Sequence, residues 1–322
     1  MLDLLDHPKS ASFEISALVR SAEKLGKLDA LKLGVRTVEG SATDFGVLKA
    51  NTEDVDIVID AFDSDNMEGV KALLGALKAN FEVTKRKVKL VHFSGCAIVV
   101  DKSVGKYKSD VVTDDADTAA MAAIPDDAPH RNVDLEVLKA HAEGYIDSYI
   151  IIPGALYGDV DNVLSKSGIQ RANKPVSVAH IAPVVGLGVP ATVGGGFNIW
   201  PFVHFEDVVS LTRTVFDNLD VAPKGTEGYY FAETVEADMR FLAHAAIEAV
   251  RGQPPSPTEE RALTEDEEKA FFPGQWYTFI GVLAANCRCK GSRGRTLGWK
   301  PAHESLDELK EDLKGIALSL KK

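Results

Sequence analysis

The chain has 322 residues, of which 45% are hydrophobic, and a formal net charge of −12. This composition suits one large α/β domain with a smaller lobe, or two domains, and excludes fibrous and disordered proteins. An acidic surface repels phosphate backbones, so nucleic acid is not an expected partner. No apolar run reaches the roughly 18 residues of a membrane helix. Three cysteines form no disulfide framework, and residues 1–10 carry no signal-type pattern, so a cytoplasmic protein is predicted.

The first half of the chain alternates short β-branched runs with helical patterns. Strands are predicted over residues 13–20, 35–40, 55–62, 89–95 and 148–154. Helices are predicted over residues 66–80 and 130–143. Strands separated by helices indicate βαβ units, and nearly continuous apolar strands indicate burial on both faces. The pattern therefore predicts a doubly wound parallel sheet with helices on both sides.

The second half is looser and richer in Gly, Pro and Asn. Helices are predicted near 175–187, 206–219 and 237–250 and from about residue 305, with a strand at 228–233. The acidic segment 253–270 is typical of a surface loop followed by a short helix. We predict a first domain over 1–154 and a smaller mixed α/β lobe over 155–322, with 200–233 packing back on the first domain.

Arg20 closes the predicted strand 13–20 and is followed by Ser21. At the end of the second strand of a Rossmann unit, an acidic residue binds the adenosine ribose of NAD. An arginine there accommodates the 2′-phosphate of NADP instead. The alternative is a solvated arginine at a strand end.

Ser94 ends the predicted strand 89–95. Ligands of this fold lie beyond the carboxyl ends of the strands, so a hydroxyl at this position faces the ligand crevice. The alternative is a serine that caps the next turn.

His130 and Asp134 lie four residues apart after Pro129, a spacing that predicts one face of the first helical turn. A carboxylate can orient an imidazole and stabilise its charged form, which gives a general acid or base near neutral pH. The alternative is an exposed histidine beside an aspartate that the helix dipole favours.

Two other motifs lack the context that their chemistry needs. Residues 186–191 match G-x-G-x-x-A, but no clear strand precedes them and Pro190 interrupts them. Cys287 and Cys289 have no second ligand pair at zinc-site spacing, so no metal is assigned.

With these residues placed, the chain resembles the extended and atypical short-chain dehydrogenase/reductase superfamily, and most of all the fungal NAD(P)-binding epimerase/dehydratase-like proteins, with NmrA-like regulators as a neighbouring branch. The resemblance covers nearly the whole chain and depends on the order and spacing of several segments. These segments are ALVRS (17–21), GSATD (40–44), VDIVIDAFDSDN (55–66), LVHFSG (90–95), APHRNVD (128–134), IIIPGALYGD (150–159), NIWPFVHFEDV (198–208), EGYYFAE (227–233) and TLGWKP (296–301).

The resemblance implies an NAD(P)-dependent oxidoreductase or epimerase-like enzyme that acts on a small carbonyl or alcohol. Residues 1–154 would bind the nucleotide, with NADP(H) expected over NAD(H) because of Arg20. Ser94 would hold the substrate oxygen, and His130, oriented by Asp134, would donate the proton. The implied cofactor-binding residues are Arg20, Ser21, Asp44, Ala61, Phe62, Asp63, Pro153 and Gly154. Related folds often pair through helices that flank the sheet, so a homodimer is a further expectation.

The sequence departs from this family in three places. The family opens with a strand and a G-x-x-G-x-x-G turn, whereas residues 4–8 here look like the end of the helix that should follow that turn. The catalytic Tyr-x-x-x-Lys is absent, and His130 and Asp134 stand at its position. Ser41 replaces the acid expected to contact adenine, which leaves Asp44 as its neighbour. Without the glycine turn, no helix N-terminus is offered to the pyrophosphate.

The missing strand would be central in the sheet. Its loss removes on the order of 10 hydrogen bonds at about 1 kcal/mol each, which is comparable with a domain's net stability. Three alternatives follow: residues 13–20 close onto 55–62, the sequence is a truncated version of a longer protein, or the fold is marginal. The competing functional hypothesis is a catalytically inactive NmrA-like regulator or truncated pseudoenzyme.

Overall fold

The computed structural model describes residues 1–170 and 174–321. Residues 171–173 and 322, which belong to the predicted second lobe, lie outside the described residues. The strands are β1 (Ser16–Val19), β2 (Arg36–Glu39), β3 (Ile57–Asp60), β4 (Val88–Phe93), β5 (Thr113–Asp114), β6 (Ile146–Pro153), β7 (Ala155–Tyr157), β8 (Ala191–Thr192), β9 (Ile199–His204), β10 (Tyr229–Ala232), β11 (Val235–Asp238), β12 (Arg261–Ala262) and β13 (Cys289–Lys290).

The helices alternate with these strands through the first half of the chain and dominate the second. They are α1 (Leu2–Leu5), α2 (Ala22–Ala30), α3 (Phe45–Asn51), α4 (Met67–Thr84), α5 (Thr118–Ala122), α6 (Arg131–Ala142), α7 (Val163–Lys166), α8 (Pro175–Leu187), α9 (Phe205–Asp217), α10 (Met239–Arg251), α11 (Glu265–Phe271), α12 (Gln275–Leu283), α13 (Ser292–Thr296) and α14 (Leu306–Leu320). None of the described helices is both long enough and apolar enough to cross a membrane.

A four-stranded parallel sheet in the order β10-β6-β4-β3 forms the centre of the molecule. Alternate residues of β6 enter different cores. Ile150 and Ile152 pack in the core that contains residues of α4 and α6, while Tyr149 and Ile151 pack in the core that contains residues of α9. The predicted doubly wound parallel sheet is confirmed.

Strands β1 and β2 form a separate parallel pair, and neither is hydrogen-bonded to the four-stranded sheet. Of the three alternatives for the missing strand, the closure of residues 13–20 onto 55–62 is therefore not the one adopted. Leu18 of β1 is 41% exposed and Ile59 of β3 is 37% exposed, although apolar strands in the middle of a doubly wound sheet are normally buried on both faces. In the described part of the chain, no strand pairs with both β1 and β3, so each of these two strands lies at the edge of its sheet.

The second half of the chain is held by helices rather than by a large sheet. Helices α8, α10 and α14 pack together, and their buried residues join the main core. Small sheets supplement them: β11-β9-β7, β12-β8 and β13-β5. Strand β10 belongs to the central sheet, where Tyr229 pairs with Ile150, so this part of the second half of the chain joins the sheet formed by the first half.

Because Leu90 and Leu18 are buried to different extents, replacing each of them by alanine should lower the free energy of unfolding by different amounts. Leu90→Ala in β4 removes a fully buried side chain and should lower the free energy of unfolding by about 2–5 kcal/mol. Leu18→Ala in β1 should cost about 1 kcal/mol or less, because the side chain is already partly hydrated. Urea denaturation of both variants measures the difference. Equal costs would contradict an open edge at β1.

Candidate active site

The carboxyl ends of β3 and β4 bring a group of polar residues to one edge of the sheet. Asp60 is the last residue of β3 and pairs in register with His92 of β4, and Ser94 and Gly95 follow directly after β4. The parallel arrangement explains why residues distant in sequence meet here. Ligands of doubly wound sheets bind at this edge, which makes it the candidate site.

Three of these polar side chains, from Asp60, His92 and Ser94, form a buried cluster with Asp134 of α6. Ser94 Oγ donates to Asp134 Oδ2 at 3.0 Å. The other oxygen of Asp134 faces His92 Nε2 at 3.7 Å, and His92 Nδ1 donates to Asp60 Oδ2 at 2.7 Å. All four residues are buried, and His92 Nε2 and Asp134 Oδ1 have no hydrogen-bond partner.

Burial raises the pKa of Asp134 to about 6, against the opposing effects of His92 and of the hydrogen bond from Ser94. His130 and Arg131 also lower this pKa, but burial is the largest cause. A carboxyl group that titrates near neutral pH is suited to proton exchange and is common at functional sites.

His130 lies in the left-handed region, with φ of 65°, and caps α6 without entering it. Its Nδ1 faces Asp65 Oδ1 at 2.8 Å and Ser64 Oγ at 3.2 Å, in the loop after β3. Its Nε2 lies over Gly95, where an added Cβ would come within 2.8 Å. The imidazole of His130 therefore lies between the loop after β4 and the loop after β3 and contacts both.

The predicted orientation of His130 by Asp134 is wrong. The helix begins at Arg131, so His130 and Asp134 do not share a helical face, and Asp134 turns inward to Ser94. Asp65 is the carboxylate that holds the imidazole, and this hydrogen bond is the main cause of the lowered pKa of Asp65.

The residues predicted to bind the adenosine end of a cofactor lie near the ends of β1 and β2. Arg20 is exposed. Ser21 Oγ accepts from the backbone of Lys24 and caps α2, while Asp44 accepts from the backbone of Val47 and caps α3. Their capping contacts explain both residues without a ligand.

The remaining predicted cofactor residues are divided between the crevice and the packing around it. Ala61 and Asp63 are exposed after β3, whereas Phe62 packs over α4. Pro153 ends β6, and Gly154 lies so close to the backbone of β9 that an added Cβ would be 2.7 Å from a carbonyl oxygen. Glycine at 154 thus serves a close approach of two strands.

A nicotinamide dinucleotide fits these residues only in part. Arg20 could meet a 2′-phosphate, and Ser94 and His130 line the far end of the crevice. No strand of the described residues pairs with both β1 and β3. The strand-to-helix turn that would follow such a strand and bind the pyrophosphate is therefore absent from the described residues. Backbone N–H groups at such a turn are what this fold uses to bind phosphate.

Sequence reasoning did not identify Asp60, Ser64, Asp65 or His92. Two of them carried a usable signal: Asp60 and His92 interrupt strands that are otherwise apolar, and a buried polar residue needs a partner. Ser64 and Asp65 lie in a loop whose path no local pattern reveals.

A cavity of about 280 Å³ has a lining that includes no residue of β3, β4 or the loops that follow them. Its charged side chains are paired with one another or with a neighbour: His244 contacts Glu260 at 2.7 Å, and Arg240 contacts Asp238 at 3.2 Å. We keep the ends of β3 and β4 as the candidate site, because the titrating carboxyl group of Asp134 lies there. In the cavity, Arg240 Nε has no hydrogen-bond partner among the described residues.

His204, Glu206 and His303 have ligand-type atoms within 4.8 Å of one another. The imidazoles of His204 and His303 stack with centroids 3.7 Å apart and an interplanar angle of 25°. Nearly parallel rings cannot both direct an in-plane lone pair at one ion. His204 caps α9, and His303 lies between Glu206 and Glu308 at 3.3 and 3.4 Å, so local contacts account for the group.

No family model matches the chain. Among curated proteins, the oxidase ucsJ of Acremonium sp. is 25% identical over 311 residues, which covers 91% of this chain and 86% of the relative.

Solved structures of similar fold include enzymes that act on sugar nucleotides. The dTDP-glucose 4,6-dehydratase of Streptomyces venezuelae, solved with NAD, has a TM-score of 0.61 at 17% identity and covers 97% of this chain and 90% of its own. The UDP-glucuronic acid 4-epimerase of Bacillus cereus, also solved with NAD, has a TM-score of 0.60 at 15% identity, with coverages of 100% and 94%. The chain has the Rossmann-type fold of these enzymes, which fits its resemblance to the extended short-chain dehydrogenases.

The raised pKa of Asp134 predicts a pH-dependent stability. The folded protein binds this proton more tightly than the unfolded chain, so the stabilisation is fully present at low pH and is lost as pH rises through about 6. Relative to Asp134→Asn, wild type should lose roughly 3 kcal/mol of unfolding free energy between about pH 4 and pH 7.

Chemical denaturation across this pH range measures the effect. Asp115→Asn is a matched control, because Asp115 is another buried aspartate whose pKa burial raises, to about 7. Asp115→Asn should therefore keep the part of the pH-dependent loss of unfolding free energy that comes from Asp134. A pH profile of Asp134→Asn parallel to wild type would contradict the assignment.

Proposed function

We propose that this chain is an NAD(P)-dependent oxidoreductase or epimerase-like enzyme that acts on a small carbonyl or alcohol. The observation that carries the proposal is the meeting of Ser94 and the His130 imidazole at Gly95, where ligands of this fold bind. The fold of NAD-containing dehydratases and epimerases supports it, as does the similarity to a fungal oxidase.

The chain's own residues would handle the substrate oxygens and their protons. With Nδ1 held by Asp65, His130 has Nε2 free to exchange a proton with the reacting oxygen. Ser94 would position the substrate beside it. A nicotinamide nucleotide would supply or accept the hydride, although the described residues offer no strand-to-helix turn that binds its pyrophosphate.

A second candidate is a catalytically inactive regulator. Two observations favour it: no strand lies between β1 and β3 in the described part of the chain, and His130 already crosses the crevice. Such a protein would act through protein contacts. Cytoplasmic location, a homodimer and the two-domain division remain predictions under either candidate.

Nucleotide titration tests the cofactor and separates the two candidates. NADPH should bind more tightly than NADH, and Arg20→Ala should weaken NADPH binding about tenfold while leaving NADH unchanged, because only the 2′-phosphate meets the guanidinium. Arg36→Ala is the control, since Arg36 is engaged by Ser16 and Asn51. Nucleotide fluorescence measures each affinity. Failure of both nucleotides to bind at millimolar concentration would leave the regulator.

Removing the proton-exchanging group tests catalysis. His130→Gln should lower NADPH-dependent turnover by at least about tenfold, in line with general-acid contributions of 10²–10⁴. Asp65→Asn should give a smaller loss, because it weakens the positioning of the imidazole but keeps the group. Steady-state kinetics at fixed pH measures both variants, and an unchanged rate in His130→Gln would exclude the role.

A further inference from the structure

The cavity of about 280 Å³ is built against a turn of consecutive glycines, residues 194–196. Gly195 makes room for the Phe197 ring, because an added Cβ would lie 2.3 Å from it. Gly196 makes room for Thr192 and Arg240, because an added Cβ would lie 2.7 Å from Thr192 Oγ1 and 3.0 Å from Arg240 Cγ. The Arg240 guanidinium in turn lies 4.4 Å from the centroid of the Phe197 ring, within the range of a cation–π contact. The turn and the ring thus hold the guanidinium at the cavity wall.

Arg240 has a donor that nothing in the described part of the chain uses. Its Nη2 donates to Asp238 Oδ2 at 3.2 Å, whereas its Nη1 lies 3.9 Å from Glu260 Oε2, too far for a hydrogen bond. Asp238 cannot satisfy Nη1 as well, because its other oxygen accepts from the backbone of Phe241 at the start of α10. The unpartnered Nε is buried, so Nη1 is the donor that this partly exposed side chain offers to a ligand.

Glu260 presents the matching acceptor. Its Oε1 accepts from His244 Nε2 at 2.7 Å, which fixes the carboxylate, and its Oε2 has no hydrogen-bond partner among the described residues. Arg240, His244 and Glu260 all line the cavity and are partly exposed. A cationic donor and an anionic acceptor therefore lie 3.9 Å apart at the cavity wall without bonding to each other.

The charges of the lining determine what kind of molecule fits. Arg261 also lines the cavity, but it donates to both oxygens of Glu267, each at 2.7 Å, and is neutralised there. A simple anion bound to Arg240 would be repelled by the Glu260 carboxylate, and a simple cation bound to Glu260 would be repelled by the guanidinium. A zwitterion whose opposite charges are adjacent satisfies both groups at once.

We propose that this cavity binds an α-amino acid with an apolar side chain. Arg240 Nη1 donates to the α-carboxylate, and Glu260 Oε2 accepts from the α-ammonium, so that both contacts are charge-assisted hydrogen bonds. The apolar part of the lining, from Pro190, Ala243 and Ala262, receives the side chain. The volume is just below the roughly 300–1,000 Å³ of pockets for drug-sized ligands, which suits a molecule as small as one amino acid. The site is separate from the chemistry proposed at the ends of β3 and β4.

Isothermal titration calorimetry with L-leucine tests the site on the wild-type protein. Two analogues separate the charges: 4-methylpentanoate is leucine without its amino group, and 3-methylbutylamine is leucine without its carboxylate. We expect L-leucine to bind at millimolar concentration or below and each analogue to bind at least about tenfold more weakly, because each lacks one charge-assisted hydrogen bond and leaves one charge repelled. Failure of L-leucine to bind at millimolar concentration, or equal binding of either analogue, overturns the proposal.

Three variants locate the bound amino acid. Arg240→Gln and Glu260→Gln should each weaken L-leucine binding at least about tenfold. Arg261→Gln is the matched control, because it removes the same charge from the same lining but from a guanidinium that Glu267 already engages, so the affinity should be unchanged. Equal losses in Arg240→Gln and Arg261→Gln would show a general effect of charge and overturn the assignment. The comparison of leucine with its analogues does not depend on whether the variants fold.

Discussion

The fold depends on how parallel strands are paired, and one pairing is not made. Strands β4 and β6 have hydrogen-bonded neighbours on both sides and bury most of their side chains. Strands β1 and β3 each have a neighbour on one side only, and Leu18 and Ile59 are partly exposed as a result. Stability therefore resides in β3-β4-β6-β10 with the helices around it, while the β1-β2 pair is held mainly through its own helices.

Because β1 and β3 are not joined through a common strand, the two parts of the crevice offer different groups to a ligand. Near β1 the described residues offer exposed Arg20 and the capping residues Ser21 and Asp44, but nothing that surrounds a pyrophosphate. Near β3 and β4 it offers a buried carboxyl, a serine hydroxyl and an imidazole that is already positioned. The polar groups at the ends of β3 and β4 are thus present among the described residues, whereas the means of holding a dinucleotide is not, which is why fold and cofactor binding need separate tests.

The sequence predicted the parallel sheet because its strands are apolar runs separated by helices, a pattern that local periodicity reveals. It also placed Ser94 at a strand end. It could not predict the partners of His130, because left-handed backbone at that residue moves the side chain out of the helical register on which the prediction relied. Nor could it pair Asp60 with His92, since strand register is a tertiary property; only their polarity inside apolar strands pointed to a buried contact.

The left-handed backbone of His130 carries a consequence of its own. For a residue with a Cβ, this conformation costs on the order of 1 kcal/mol, and here it is maintained by the side-chain contacts with Ser64 and Asp65. The contacts of the imidazole thus hold the backbone of His130 in a mildly strained conformation. The position of the ring against Asp65 and the start of α6 at Arg131 therefore depend on the same backbone conformation.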